Sequence, residues 1–233
     1  MASFVKESIE SSNHKCVGMY DPLGNGNYKD LKEIVNKIDG IIDFSHFSLT
    51  EEILKYAIEI NSPLVIATTG HTDEQKLKIE EASKKIAILK ATNTSLGVNI
   101  MNQIVSYATK LLADFDIELI EKHHNRKIDA PSGTAVTLLE VINESLSEKK
   151  NFVYGREGNK KREKNEIGVH AIRAGNIVGE HTVIFSSGDE IIEIKHEALS
   201  RKIFADGAVK AILSLTNKPS GLYLMKDILN INN

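Results

Sequence analysis

The residue types best suited to chemistry crowd into one short stretch, Glu121-Lys122-His123-His124-Asn125-Arg126-Lys127-Ile128-Asp129-Ala130-Pro131-Ser132-Gly133-Thr134-Ala135. Two adjacent histidines stand beside Arg126 and Lys127 where a strand pattern runs out into a loop, and a helix pattern then begins near Ser132-Gly133-Thr134. The first N–H groups of a helix have no intrahelical partner and carry the positive end of its dipole, so such a start receives anions. With Arg126 or Lys127 beside it, this one suits a carboxylate or a dicarboxylate. A bound anion favours the protonated form of a neighbouring imidazole, which fits a histidine for general acid work near neutral pH. The plainer readings are a helix cap and solvated loop histidines. Adjacent residues on a strand point to opposite faces, and Asp129 is the carboxylate at ligand spacing, so no metal is expected.

Two further loops follow strand patterns. Ala67-Thr68-Thr69-Gly70 ends the run Pro63–Ala67, and Ala91-Thr92-Asn93-Thr94-Ser95 ends Ile86–Lys90. In a doubly wound sheet, ligands sit beyond the carboxyl ends of the strands, where small and hydroxyl residues let a cofactor approach the backbone. Asp21 closes the run Lys15–Tyr20, a position from which a carboxylate can hold an adenosine ribose; a turn-forming Asp-Pro is the competing reading.

The elements that must position these residues follow from periodicity. Lys15–Tyr20, Gly40–Phe44, Pro63–Ala67 and Ile86–Lys90 have strand length and branched content. Helix patterns lie between them; in Glu51–Ile60 the residues Ile53, Tyr56, Ala57 and Ile60 share one face. Ser48 with Glu51, and Thr72 with Gln75, have capping-box spacing. Alternating strands and helices predict a parallel, doubly wound sheet. The pattern then changes. A long helix is expected over Ser95–Asp114, with Ile100, Ile104, Ala108, Leu111 and Leu112 as its apolar stripe. Asp116–Lys122 reads as a strand, Ser132–Glu148 as a helix, and Gly168–Arg173, Glu180–Phe185 and Glu190–His196 as strands of antiparallel character, the last two joined by a turn at Ser186–Asp189. Ile203–Thr216 returns to helix and is expected to pack back on the first lobe. The reading is an α/β protein, with residues 1–94 and 203–233 in one domain and 95–202 in a second, α+β domain.

Bulk composition narrows the classes. A chain of 233 residues, 41% hydrophobic and 26% charged, is an ordinary globular protein of one large or two small domains. Its net charge of −3 provides no basic field for nucleic acid. Cys16 is the single cysteine, so an internal disulfide and a cysteine metal cage are excluded, which fits a reducing cytosol. No apolar run approaches the roughly 20 residues of a membrane span, and residues 1–12 lack a secretory core.

The block His123-His124-x-x-Lys127-x-Asp129-Ala130-Pro131-Ser132-Gly133-Thr134-Ala135 resembles the signature of the dihydrodipicolinate reductases. So do Thr68-Thr69-Gly70, Asn93-x-Ser95-x-Gly97-Val98-Asn99, Arg173-Ala174-Gly175-x-Ile177-x-Gly179-Glu180-His181 and Gly221-Leu222-Tyr223, in family order from about Asp21 to Leu229. The resemblance implies an oxidoreductase of lysine and diaminopimelate biosynthesis that reduces a hydroxylated tetrahydrodipicolinate with NADH or NADPH. It implies a Rossmann-like cofactor domain and an α+β domain that binds the cyclic dicarboxylate and builds a homotetramer, in the cytoplasm. By motif position, His123 is implied as proton donor and Lys127 as its partner acid. His124, Gly133 and Thr134 are implied to bind substrate. Ala67, Thr68, Thr69, Ala91, Thr92, Asn93 and Thr94 are implied to line the nicotinamide, and Asp21 to take the adenosine ribose. An acidic residue there repels a 2′-phosphate, so NADH is the expected preference, which Lys29 or Lys32 could blunt.

The sequence departs from the family pattern at Ala67, where glycine is usual, and at Thr92 and Thr94, where apolar residues are. Family members also open with a strand and G-x-x-G-x-M-G, whose glycines bring the backbone to the cofactor pyrophosphate. Here Met1-Ala2-Ser3-Phe4-Val5-Lys6 matches the segment after that motif, so the expectation is a start upstream, with Met1 an internal methionine of the motif. Two rival readings are a homologue that binds dicarboxylate and assembles without redox activity, and a metal-dependent hydrolase built on His123 and His124.

Overall fold

The computed structural model describes residues 1–228; the end of the first predicted domain, 229–233, lies outside the described residues. In chain order the elements are α1 (Ala2–Ser11), β1 (Ile41–Asp43), α2 (Thr50–Glu59), β2 (Leu64–Ile66), α3 (Asp73–Ser83), β3 (Ala87–Lys90), α4 (Leu96–Leu111) and β4 (Asp116–His123). There follow α5 (Gly133–Ser145), β5 (Asn151–Tyr154), β6 (Glu166–Arg173), β7 (Gly179–Ser186), β8 (Ile191–Ala198), α6 (Lys202–Leu215), β9 (Gly221–Tyr223) and α7 (Met225–Ile228). They form two compact units, one of Met1–Leu96 with the chain from Arg201 onward, the other of Gly97–Ser200.

The first unit is built on a parallel sheet ordered β1-β2-β3-β9. Leu64, Ile66 and Ile88 face α2 and α3, where Ile53, Leu54, Ala57 and Ile79 meet them. Val65, Ala87 and Leu89 face the other way, onto Ala208, Ala211, Ile212 and Leu215 of α6 and Met225 of α7. Both faces are covered, which is why these strands read as continuous apolar runs rather than as alternation. Burying each valine, leucine or isoleucine among them contributes about 1.5–3 kcal/mol. α6 lies close on the chain beyond β3: a Cβ at Gly207 would collide with the Thr94 carbonyl, so only glycine fits there. The Thr72–Gln75 capping box forms, with the Gln75 N–H donating to Thr72 Oγ1 (3.2 Å) and the Thr72 N–H to Gln75 Oε1 (3.0 Å).

Two expectations for this unit fail. Lys15–Tyr20 joins no sheet; Tyr20 makes a lone parallel bridge to Tyr28. The segment closes on its own return loop instead, the N–H groups of Asn27 and Tyr28 donating to the Met19 carbonyl (2.8 and 3.2 Å) and that of Asp21 to Tyr28 (3.0 Å). The Ser48–Glu51 capping box is also absent. His46 Nδ1 takes the Ser48 N–H (3.3 Å) and pairs with Ser48 Oγ (2.9 Å), which drives Phe47–Leu49 into a 3₁₀ turn and leaves α2 without a side-chain cap.

The second unit holds a mixed sheet ordered β5-β6-β4-β7-β8. β5, β6 and β4 run parallel, while β4, β7 and β8 alternate in direction. The Ser187 N–H donates to the Glu190 carbonyl (3.0 Å) in the expected turn between β7 and β8. Ile117 and Leu119 of β4, Ile167 and Val169 of β6, and Val183 and Phe185 of β7 pack under Met101, Val105, Leu138, Leu139 and Ile142 of the helices. The buried side of α4 is Val98, Met101, Val105 and Thr109. This corrects the predicted stripe: Ile100, Ile104 and Leu111 are 40%, 49% and 67% exposed, and only Ala108 and Leu112 of that set touch the core. The helix carries two apolar faces, and the sheet accepts one. Among the described residues no helix is long and apolar enough to cross a membrane.

Candidate active site

β4 turns alternate residues toward α4 and α5, so the face that begins with Ile117 and Leu119 continues with Glu121 and His123. A core strand thus changes from apolar to ionisable at its carboxyl end. Glu121 is fully buried (0% exposed). Its Oε2 accepts from His123 Nδ1 (2.6 Å) and one Arg173 terminal nitrogen (2.8 Å). Its Oε1 accepts from the other Arg173 terminal nitrogen (2.7 Å) and from the Ser132 backbone N–H (3.0 Å). The parallel register that sets Arg173 opposite His123 delivers that guanidinium. Burial alone would raise the Glu121 pKa, but the bonds from His123 and Arg173 outweigh it and hold the carboxyl down to about 2.

The antiparallel partner of Glu121 is His181 on β7. Its ring lies edge-on to His123, centroids 5.2 Å apart, and its Nε2 pairs with Ser132 Oγ (2.9 Å). Burial, with the positive influence of His123 adding to it, pushes His181 down to about 3, so it is neutral near pH 7. Ser132 caps α5, its Oγ accepting from the Ala135 N–H (3.2 Å), while its own N–H donates to Glu121. One serine therefore ties the helix start to the histidine cluster. Gly179 sits beside the outer nitrogen of His123, where a Cβ would stand 3.1 Å from Nε2.

The loop after β4 places the other expected residues. The Lys127 N–H donates to the His124 carbonyl (3.1 Å), and Lys127 Nζ pairs with Asp129 Oδ1 (2.8 Å). Burial opposes ionisation of Asp129, but Lys127 outweighs it and lowers that carboxyl. Arg126 turns aside to Asn176 Oδ1 (3.0 Å), so of these two loop cations Lys127 is the one that acts on the cluster. Gly133 is exposed as the first residue of α5, with nothing within 4 Å of a Cβ built on it, and Thr134 is buried behind it. His123, Ser132 and the start of α5 are joined through Glu121 and His181. His124 opens the turn, its carbonyl accepting the Lys127 N–H.

In the first unit the predicted cofactor residues lie at the carboxyl ends of β2 and β3 or in the loop after Tyr20. Ala67 and Thr69 leave β2 toward Gly70, whose φ of +84° turns the chain back. Thr68 and Thr94 are buried, and their hydroxyls donate to the backbone, Thr68 to Ser45 (3.1 Å) and Thr94 to Phe204 (2.6 Å). The rim is therefore formed by Ala67, Thr69, Thr92 and Asn93, with Ala91 buried beneath. Small side chains at strand ends fit a dinucleotide lying against the backbone. Asp21 caps a turn, Oδ1 accepting from the Leu23 N–H (2.8 Å) and Oδ2 from Asn25 (3.0 Å). Each oxygen keeps a further lone pair, so the turn and ribose roles are compatible.

Sequence reading missed Glu121, Ser132, Arg173, Gly179 and His181 as site residues. The i, i+2 spacing of Glu121 and His123 on a strand was a usable signal; the 52-residue separation of Glu121 from Arg173 carried none.

The chain matches the family descriptions "Dihydrodipicolinate reductase, N-terminus" over residues 1–94 and "Dihydrodipicolinate reductase, C-terminus" over residues 97–229. It is 47% identical to the 4-hydroxy-tetrahydrodipicolinate reductase of Brachyspira hyodysenteriae across 98% of this chain and 95% of that protein. It is 50% identical to that of Clostridium tetani across 82% and 76%. Among solved structures, the dipicolinate-bound dihydrodipicolinate reductase of Paenisporosarcina sp. TG-14 shares the fold, with a TM-score of 0.75 at 22% identity over 99% of this chain and 94% of that one. The chain belongs to the dihydrodipicolinate reductase family.

Proposed function

We propose that the chain reduces 4-hydroxy-tetrahydrodipicolinate to tetrahydrodipicolinate in the cytoplasm, on the route to diaminopimelate and lysine. The observation that carries the reading is the family block itself, which folds so that His123 and the amino end of α5 share the Glu121–Ser132 network. The balance is one hydride and one proton in, one water out. The nicotinamide cofactor supplies the hydride when bound. His123 gives the proton and Lys127 acts as the partner acid. Gly133 and Thr134 hold one carboxylate at the positive end of α5, and His124 contributes to the same ligand.

The first unit is assigned the cofactor, with Asp21 at the ribose and residues 67–69 and 91–94 along the nicotinamide. A carboxylate at Asp21 favours NADH over NADPH; Lys29, whose side chain lies 3.0 Å from a Cβ built on Gly24, softens that discrimination. The second unit is assigned substrate and the contacts of a homotetramer. Half-buried Ile120 and Ile184, exposed Ile172, and the Lys122–Glu180 and Lys195–Glu180 pairs on its sheet support that assignment.

The test is cofactor oxidation with enzymatically generated substrate, run with NADH and with NADPH and inhibited by pyridine-2,6-dicarboxylate. Steady turnover, faster at low NADH than at low NADPH and competitively inhibited, is the expected result. Dicarboxylate binding without oxidation of either cofactor would favour the non-redox reading.

A further inference from the structure

Glu121 is fully buried, and both its oxygens are fixed by paired donors. We propose that Glu121, clamped by Arg173, is a positioning residue that locks the His123 ring with its proton on Nδ1, leaving Nε2 as the atom that exchanges a proton with substrate. The inference rests on the reductase reading for its consequence, but its geometry is independent of it. An ionised carboxylate only accepts hydrogen bonds, so at 2.6 Å the Nδ1 of His123 must be the donor. The carboxylate cannot swing away, because Oε2 is also held by Arg173 and Oε1 by Arg173 and the Ser132 N–H. Arg173 is itself anchored to the carbonyls of Ile172 (2.8 Å) and Asp129 (2.7 Å). On the opposite side of the ring, the bare Gly179 leaves room beside Nε2. The ionisable groups around the ring are Glu121 from β4 and His181 from β7, with Arg173 from β6 on the same carboxylate and Lys127 of the loop close enough to act on His181.

The direct test is imidazole ¹⁵N spectroscopy of the full chain near neutral pH, with the His123 signals assigned by their loss in His123→Gln. The expected neutral ring is protonated on Nδ1, with a strongly downfield Nδ1–H. A neutral ring protonated on Nε2 would overturn the proposal, and this measurement needs no variant of Glu121 to fold. In Glu121→Gln, Arg173 occupies the amide oxygen and the amide NH₂ faces Nδ1, so the neutral ring should reverse its tautomer. Turnover should then fall about 10²-fold, with KM and the titrated affinity for pyridine-2,6-dicarboxylate within about threefold, a split that a loss of folding would not produce. Wild-type turnover in Glu121→Gln refutes the positioning role. An inactive wild-type chain with the Nδ1–H tautomer intact refutes the reductase reading alone.

Discussion

Replacing Glu121 by glutamine should make stability respond to pH differently from the parent chain. His123 and Arg173 hold the folded carboxyl down to about 2, against an ordinary 4.5. At about 1.36 kcal/mol per unit, ionised Glu121 contributes about 3 kcal/mol. Because the folded pKa is the lower one, that contribution is complete above the unfolded value and is lost as pH falls toward the folded value. Linkage gives about 3 kcal/mol at pH 5 and above, about 2 at pH 3.5 and under 0.5 near pH 2. In the variant Arg173 keeps the amide oxygen as its partner, and its charge does not vary with pH in this range. Urea midpoints followed by circular dichroism at pH 7, 5, 4 and 3 should show the gap between parent and variant narrowing on the acid side. A gap of constant size would mean that Glu121 is not held ionised by His123 and Arg173, and the reasoning would fail.

Two other substitutions probe the elements around the sites. Gly133→Pro removes one N–H at the first position of α5, where proline is tolerated and Ser132 is already extended (φ −66°, ψ 156°). Calorimetry should show pyridine-2,6-dicarboxylate binding weakened about 10–100-fold, the loss of a charge-assisted hydrogen bond, with the helix intact; unchanged affinity would remove the helix start from the site. Gly207→Ala drives a methyl into the Thr94 backbone, which should cost about 1–3 kcal/mol and lower the melting midpoint by several degrees. An unchanged midpoint would show that α6 and the loop after β3 can part freely.

Much of the frame was legible because buried parallel strands and capped helices leave local marks. Leu64–Ile66 and Ala87–Leu89 are apolar throughout because both their faces are covered, and Thr72 with Gln75 marks a helix start that forms as read. What escaped depends on competition between nearby partners or on distance along the chain. Ser48 had cap spacing, but His46 bonds it first. α4 carries two apolar faces, and periodicity could not say which one the sheet would take. Lys15–Tyr20 has strand composition, yet its backbone groups are taken by residues 27 and 28. β5 and β9 have no fully buried residue, so they leave no continuous apolar run to read. At the site, the histidine and lysine block was visible as a cluster of reactive types. The buried carboxylate and guanidinium that organise it meet through the pairing of β4 with β6, which no local spacing encodes.

The central claim is hydride transfer to a cyclic dicarboxylate, and isotope tracing tests it most directly. The chain would be mixed with enzymatically generated 4-hydroxy-tetrahydrodipicolinate and NADH carrying deuterium at the transferable position, and the product weighed by mass spectrometry. The account predicts tetrahydrodipicolinate containing one deuterium per cofactor oxidised, with the yield abolished in His123→Gln although that variant still binds pyridine-2,6-dicarboxylate. Product free of deuterium, or no reduction by a chain that binds both cofactor and dicarboxylate, would contradict it.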